Sequence, residues 1–397
     1  MPDQPRILLS GYYGFGNTGD EAILAGALAG FRELAPQAEV VVLSKDPEAT
    51  SAQHGVPAIH RSLSSLRRAL RRCNLFVSGG GGLLQDTTSW RSPLYYLQTL
   101  RMAQGRGIPT MLMAQSIGPL RRRWIRKVTR HVLKRVSLIT LRDPASERDL
   151  TALRVTKPRI EVTADLSLLL PAPPLPEPPK NRRVIVCPRR WPGASDGDLR
   201  ELIRKLATAL SAVSAEVSLL PMQPRDLEVT RLLAEAMASP QSGKPETIRV
   251  GKWHPGRGLP GWSAVPPPKK VRPVKLLEPV RSFDELFATI AGAQVVVGMR
   301  LHSLIFAARC GVMPVGISYD PKVCAFLETI GELSVATPEQ LLPDTLAWRI
   351  QHAFSEQANK RASLLATMEK QREAARENIR LAMELVNAKQ EQAPAQA

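Results

Sequence analysis

The residues best placed to do chemistry form a short run, Gly298-Met299-Arg300-Leu301-His302-Ser303. The run joins an apolar stretch, Gln294–Gly298, to the start of a helical one, Leu301–Cys310. Backbone amides at a helix start attract anions. Arg300 adds a guanidinium whose fork matches phosphate or carboxylate oxygens. His302 adds the side chain that exchanges protons near neutrality. A lone histidine is usually structural, but beside an arginine at such an edge it is a candidate general acid. Lys322, after Tyr319-Asp320-Pro321, follows the next apolar run and either completes a cationic pocket or is a solvated helix-start residue. Arg189-Arg190-Trp191 closes a further apolar run and offers a second anion contact, though paired arginines there are as often simply solvated.

Two glycine-rich segments lie earlier in the chain. Gly14-Phe15-Gly16-Asn17-Thr18-Gly19 fits G-x-G-x-x-G, which permits a tight turn and close approach of a ligand to helix-end amides. A dinucleotide reading needs an acidic residue closing the next strand. Here that stretch ends Leu43-Ser44-Lys45, which weakens a nicotinamide cofactor, while Asp46 keeps it open. Asp20 follows directly. The plainer reading is a helix N-cap; the functional one is a carboxylate that binds a hydroxyl or takes its proton. Gly79 to Gly82 are four consecutive glycines, costly in backbone entropy, and close contact with a ligand explains them better than a mere turn. Gln85 and Asp86 beyond them either bond hydroxyls or cap the next helix. Arg142-Asp143 is a local ion pair or a guanidinium presented to a cleft.

These motifs need strand ends and helix starts to hold them. Ile7–Ser10, Val40–Leu43, Leu75–Ser78, Thr110–Ala114 and Leu138–Thr140 read as strands in the first half, continuously apolar as in a parallel sheet buried on both faces. Asp20–Leu34, Leu94–Gln104 and Trp124–Val136 read as helices between them. The second half repeats the alternation, with strands at Val184–Cys187, Val217–Pro221, Val274–Leu277, Gln294–Gly298 and Met313–Ile317. Its helices are Leu199–Ala212, Leu227–Met237, Phe283–Ala291 and Leu301–Cys310. Such alternation predicts doubly wound α/β domains, with ligands at the carboxyl ends of the strands. The expected division is a first domain over 1–170, a proline-rich linker over 171–180, and a second domain over 181–342 interrupted by a long basic loop at 239–273. A helical segment over 343–389 and a flexible tail over 390–397 close the chain.

The 397 residues include 44% apolar and 23% charged residues, enough for sizeable cores and unlike a disordered chain. Lys and Arg outnumber Asp and Glu by 54 to 36, giving +18, which favours anionic partners. Arg121–Arg135 holds eight Lys/Arg and no acid, with apolar residues at helical spacing, and Arg67, Arg68, Arg71 and Arg72 add a second cluster. Helices over 61–72 and 121–135 are thus either core-packed with solvated basic faces or electrostatic contacts to anionic lipid. Nothing couples the charge to a nucleic-acid module. Four scattered cysteines lack metal or disulfide spacing, and no metal-ligand cluster is evident. The opening Met-Pro-Asp-Gln-Pro-Arg lacks a signal-peptide pattern, and no apolar run reaches the roughly 18 residues of a spanning helix. A cytoplasmic protein, soluble or peripheral on the inner membrane face, is expected.

Taken in order, the motifs resemble the polysaccharide pyruvyl transferases, and within them the CsaB type acting on cell-wall polymers. The matching segments are Gly11–Leu24 (GYYGFGNTGDEAIL), Ser78–Asp86 (SGGGGLLQD), Gln115–Pro119 (QSIGP) and Leu141–Ser146 (LRDPAS). They continue with Asp165, Arg189-x-Trp191, Gly298–Ala307 (GMRLHSLIFA) and Tyr319–Lys322 (YDPK). The resemblance implies a GT-B-like fold, two Rossmann-like domains facing a cleft, with a C-terminal helix returning to the first domain. It implies phosphoenolpyruvate as a co-substrate rather than a cofactor, a sugar diol as acceptor, and no metal. His302 would be the general acid and Asp20 a base or a positioning group. Arg189, Arg300, Leu301 and Lys322 would hold the donor. Gly16, Asn17, Gly19, Asp20, Gly80, Gly81, Gln85, Asp86 and Arg142 would face the acceptor, a lipid-diphosphate-linked amino-sugar precursor whose pyruvylated polymer anchors surface-layer proteins. The rival readings are a glycosyltransferase using a sugar-nucleotide donor and a non-catalytic membrane-surface scaffold.

Overall fold

The computed structural model describes residues 4–87, 89–238 and 274–392. The chain builds two parallel sheets in succession. The first half runs β1 (Arg6–Ser10), α1 (Thr18–Leu34), β2 (Glu39–Ser44), α2 (Pro47–His54), β3 (Ala58–His60), α3 (Leu63–Ala69), β4 (Leu75–Ser78) and β5 (Gly81–Leu84). It continues with α4 (Arg91–Gln104), β6 (Thr110–Ile117), α5 (Arg123–Leu133), β7 (Leu138–Leu141), α6 (Pro144–Ala152) and β8 (Arg159–Val162). These strands form one parallel sheet in the order β3-β2-β1-β4-β6-β7-β8, with β5 beside β6. The second half runs β9 (Arg183–Cys187), α7 (Asp196–Ser211), β10 (Glu216–Leu219), α8 (Leu227–Ala238), β11 (Val274–Leu276), α9 (Phe283–Ala291), β12 (Val295–Gly298), α10 (Leu301–Arg309), β13 (Met313–Gly316) and α11 (Pro321–Thr329). Its parallel sheet has the order β11-β10-β9-β12-β13. Both are doubly wound sheets, and the molecule is a GT-B-type α/β fold.

The strands form where continuous Val, Ile and Leu runs bury both faces. β1, β4, β6, β9, β12 and β13 are buried along nearly their whole lengths. Helices α3 to α6 cover one face of the first sheet through Leu66, Leu70, Tyr96, Leu100, Val132 and Leu150. Helix α1 covers the other, joined there by α12 (Pro343–Gln392), which packs on both sheets and returns to the first lobe. Asn378, fully buried on α12, is bonded to Thr140 and Thr163 of the first lobe and donates to the Ala164 carbonyl at 3.3 Å. Residues 171–179 run between the two sheets without helix or strand.

The differences from the sequence reading have local causes. The last two of the four glycines read as a ligand contact, Gly81 and Gly82, open strand β5, which is paired to β6. β3 and β8 were missed because three or four mixed residues carry no periodic signal. Helices α2, α6 and α11 begin at Asp-Pro steps whose aspartates, Asp46, Asp143 and Asp320, accept from the backbone N–H groups of Ala49, Ser146 and Lys322 in the first turn. Loop 239–273 lies outside the described residues, as does most of the expected tail.

Candidate active site

In a doubly wound sheet the crevice opens where the strand order reverses. In the first sheet that point lies between β1 and β4, and in the second between β9 and β12. The segments leaving those four strands are Gly11–Asp20, Gly79–Gly82, Pro188–Trp191 and Met299–His302. Topology therefore brings the two glycine-rich segments and the two basic ones to the carboxyl edges of their sheets.

The lobes meet at His302. Its imidazole lies on Gly19 so closely that a Cβ at that position would fall 2.2 Å from Nδ1. Glycine there is a seat for the ring of the other lobe rather than a turn residue. The Nε2 atom is buried, has no hydrogen-bond partner among the described residues, and sits 3.8 Å from Asp165 Oδ2. Asp165 receives Arg142 Nη1 at 2.7 Å, and both side chains are nearly inaccessible. Burial would raise the Asp165 carboxyl, but His302 and Arg142 outweigh it and hold the group well below the usual carboxylate range. Arg142 is fixed in turn: its Nε donates to Ser116 Oγ at 2.6 Å, and that hydroxyl donates to Asp143 at 2.8 Å. Asp143 also caps α6. The chain Asp143–Ser116–Arg142–Asp165 thus supports one side of the imidazole.

Asp20 lies next to Gly19 on the first turn of α1. It is not the N-cap. That place belongs to Asn17, whose side chain accepts from Gly19 N at 3.1 Å. Asp20 forms no side-chain hydrogen bond among the described residues and faces the crevice. A Cβ on Gly81, whose φ is +98°, would stand 3.3 Å from its Oδ1. Burial pushes its carboxyl up to about 6, opposed by His302, Lys322 and Arg142 in that order. A carboxylate poised near neutrality, with an imidazole as its leading positive neighbour, is suited to proton transfer.

The remaining predicted residues divide by what they touch. Lys322 Nζ is 2.9 Å from Asp320 Oδ2, half-exposed, and acts electrostatically on Asp20. Arg189 donates to Tyr319 Oη, with its guanidinium 4.7 Å over the ring. Leu301 opens α10, whose first-turn amides receive no side-chain cap. Arg300, expected at the donor, has its Nε and Nη2 each 2.6 Å from the Asp226 carboxylate, itself buried, so two of its three nitrogens are held by that pair. The pair braces the loop that carries it. Asp86, expected on the acceptor side, accepts from Arg121 N at 2.7 Å and Arg122 N at 2.9 Å, and so organises the approach to α5. Gln85 Oε1 accepts from Thr87 N at 2.8 Å, a local turn contact. Gly80 packs against Ile23, whereas Gly16 is open, with nothing within 4 Å of its Cβ position.

Several contributors had no clear sequence signal. Asp165, noted only as part of a motif, is the hinge between Arg142 and His302. Glu21 accepts from Gly14 N at 2.9 Å and shapes the glycine loop. Gln115 donates to the Ser78 and Gly79 carbonyls and pins the glycine run. Tyr13 is buried, with its hydroxyl over Gly79 and without a partner among the described residues. Beside the crevice a groove of about 870 Å³ runs between the lobes, lined by Arg148 of the first and Trp191, Gly193, Tyr319 and Asp320 of the second. No cluster of metal-ligating side chains occurs among the described residues.

The chain is thus a two-lobed α/β protein with an imidazole, a carboxylate and several cations gathered at its lobe junction. Residues 17–321 match the family model for polysaccharide pyruvyl transferase, and the chain belongs to that family. A search of curated proteins finds no match. Solved structures share the fold. UDP-GlcNAc 2-epimerase from Neisseria meningitidis bound to UDP-GlcNAc superposes with a TM-score of 0.59 at 9% identity, covering 96% of this chain and 100% of that one. HepE of Anabaena in complex with UDP and glucose gives 0.54 at 12% identity, covering 98% and 100%. The UDP-GlcNAc 2-epimerase of Methanocaldococcus jannaschii gives 0.54 at 9%, covering 88% and 92%.

Proposed function

We propose that the protein transfers the pyruvyl group of phosphoenolpyruvate to a sugar diol of a cell-wall polysaccharide precursor, forming a pyruvate ketal and releasing phosphate. The observation that carries the reading is the His302 ring seated across the lobe junction on Gly19, next to Asp20, with Asp165 and Arg142 behind the imidazole. The donor is small and highly anionic. The uncapped start of α10, Lys322 and Arg189 supply compact positive charge for its phosphate and carboxylate, and no metal is required. His302 protonates the donor's methylene carbon and leaves C2 electron-deficient. One hydroxyl adds to C2 while Asp20 takes its proton. The bond from C2 to the phosphate oxygen breaks, and phosphate leaves with that electron pair. The second hydroxyl then closes the ring, so the two protons lost by the diol balance those gained by the methyl group and the phosphate.

The CsaB-like motifs favour a lipid-diphosphate-linked amino-sugar disaccharide as acceptor, which would place the protein at the inner membrane face and its product in the anchoring of surface-layer proteins. Among the described residues no helix is long and apolar enough to cross a membrane. The experiment is to incubate the protein with phosphoenolpyruvate and a disaccharide-lipid acceptor. Phosphate release in step with a pyruvate-ketal mass gain is expected. Turnover of a UDP- or GDP-sugar with nucleotide release, and none of phosphoenolpyruvate, overturns the reading in favour of glycosyl transfer. Inertness toward both donors leaves only a scaffold and overturns it too.

A further inference from the structure

The segment from Arg61 to Ser137 holds sixteen Lys and Arg and a single acid, Asp86, so most of the chain's +18 sits in this stretch. Asp86 is buried beneath the start of α5 and offers no charge to solvent. The fold turns this local bias into a surface. Helices α3, α4 and α5 lie side by side on the outer face of the first sheet and share one core beneath them. Their buried residues take the apolar positions, so Arg67, Arg68, Arg71, Arg72, Arg101 and Arg106 point outward. On α5 and its approach Arg121, Arg122, Arg123, Arg126, Lys127 and Arg135 are exposed as well. Of these cations only Arg122 forms an ion pair among the described residues, with Asp86, and Arg126 lies within electrostatic reach of Asp149.

One edge of this face is apolar. Trp90 and Trp124 are 41% and 46% exposed and meet edge to face with ring centroids 5.9 Å apart. Leu63 and Phe15 are also large exposed apolar residues. All four stand just after a strand of the first sheet, namely β5, β6, β3 and β1. They therefore mark its carboxyl edge, the same edge that carries Asp20.

We propose that this face docks on an anionic lipid bilayer, with the helices' cations on the headgroups and the Trp90–Trp124 pair seated among them. Clustered Lys and Arg near such a surface are attracted by its negative potential, and indole rings settle at the apolar–polar boundary. A nucleic acid would equally meet the charge, but the two indoles pack edge to face on each other rather than standing apart as platforms for successive bases, which fits a headgroup layer better. Docking in this pose sets the crevice mouth at the membrane surface, within reach of a headgroup-borne saccharide.

The test uses the full chain and vesicles of phosphatidylglycerol in phosphatidylcholine, without phosphoenolpyruvate or saccharide, so its outcome is independent of the catalytic proposal. Sedimentation should show binding that weakens with salt and is absent from pure phosphatidylcholine. R123Q/R126Q/K127Q should lower partition about 100-fold, about fivefold per charge removed. K180Q/R200Q/R231Q, an equal charge loss on the linker end and the second lobe, should change it less than threefold. W90S/W124S should lower it at least tenfold while leaving salt sensitivity in place. Equal losses from both charge variants, no effect of the tryptophan variant, or tighter binding to a single-stranded oligonucleotide than to vesicles at the same salt each overturn the proposal. Circular dichroism of every variant excludes misfolding as the cause.

Discussion

At the scale of single residues the site is a balance of two carboxylates in opposite states. Asp165 is held ionised by a buried arginine and an imidazole, while Asp20, one turn into a helix, is pushed up by burial. His302→Ala should lower kcat by about 10²–10⁴ if the imidazole is the acid. Unchanged turnover in a folded variant would remove it from the reaction. Asp165→Asn should cost about 3 kcal/mol of stability or more, because it leaves the Arg142 charge buried without its partner; chemical denaturation reads this directly. Asp20 has the reverse sign. Its folded value of about 6 exceeds the unfolded one, so the ionised group destabilises the fold above about pH 6, and the cost fades as pH falls toward 4. Asp20→Asn should therefore raise stability near pH 8 by about 2 kcal/mol, discounted for the solvent that reaches the group, and give nothing below pH 4. Activity of the unmodified protein should fall with an acid limb near pH 6 and be lost in the variant.

At the scale of elements, α1 is the piece on which the most depends. Its glycines are contact points rather than flexible joints. Gly19 receives the His302 ring, and Gly26 receives the backbone of the turn at Leu166, where a Cβ would come within 1.9 Å of the Leu166 carbonyl oxygen. Alanine is the better helix former in isolation, so helix propensity alone favours Gly26→Ala by about 1 kcal/mol. Packing reverses that sign, because the obstacle is backbone and cannot rotate away. The variant should lose about 1–3 kcal/mol, measured by thermal or denaturant unfolding. Gln115 and the Asp143–Ser116–Arg142 chain show the same logic on β6 and β7: polar side chains at strand ends hold loops whose own contacts are few.

At the scale of the molecule, α12 ties the lobes. It lies against the second sheet near its start and against α1 and the first sheet near its end, with Asn378 sealed into the first lobe. Arg309 of α10 adds a direct tie, donating to the Leu170 carbonyl at 2.8 Å. Asn378→Leu should destabilise the first lobe by about 2 kcal/mol, since Thr140 and Thr163 lose a buried partner. Hydrogen exchange should show the added opening in β7 and α12 rather than in β9–β13. Phosphoenolpyruvate at about 100 times its Kd should raise the stability of the whole chain by about 2.7 kcal/mol, and Lys322→Ala should blunt this shift.

The sequence by itself determined the principal buried strands and long helices and their order, but not the short strands β3, β5 and β8. Continuous apolar runs forced buried parallel strands, and the glycine, arginine and histidine motifs fell at strand ends because only there does a parallel sheet leave the chain free of its ladder. The ordered motifs also determined the family. What each motif residue touches was decided by tertiary structure. Arg300 turned to Asp226 across 74 positions of chain, and Asp86 turned to the backbone before α5. Asp165 became the link to His302 although 137 residues separate them. Such pairings depend on which strand ends the winding of two sheets brings together. Charge and hydrophobicity along the chain hold no record of that, because a carboxylate next to a guanidinium in space can lie at any distance from it in sequence.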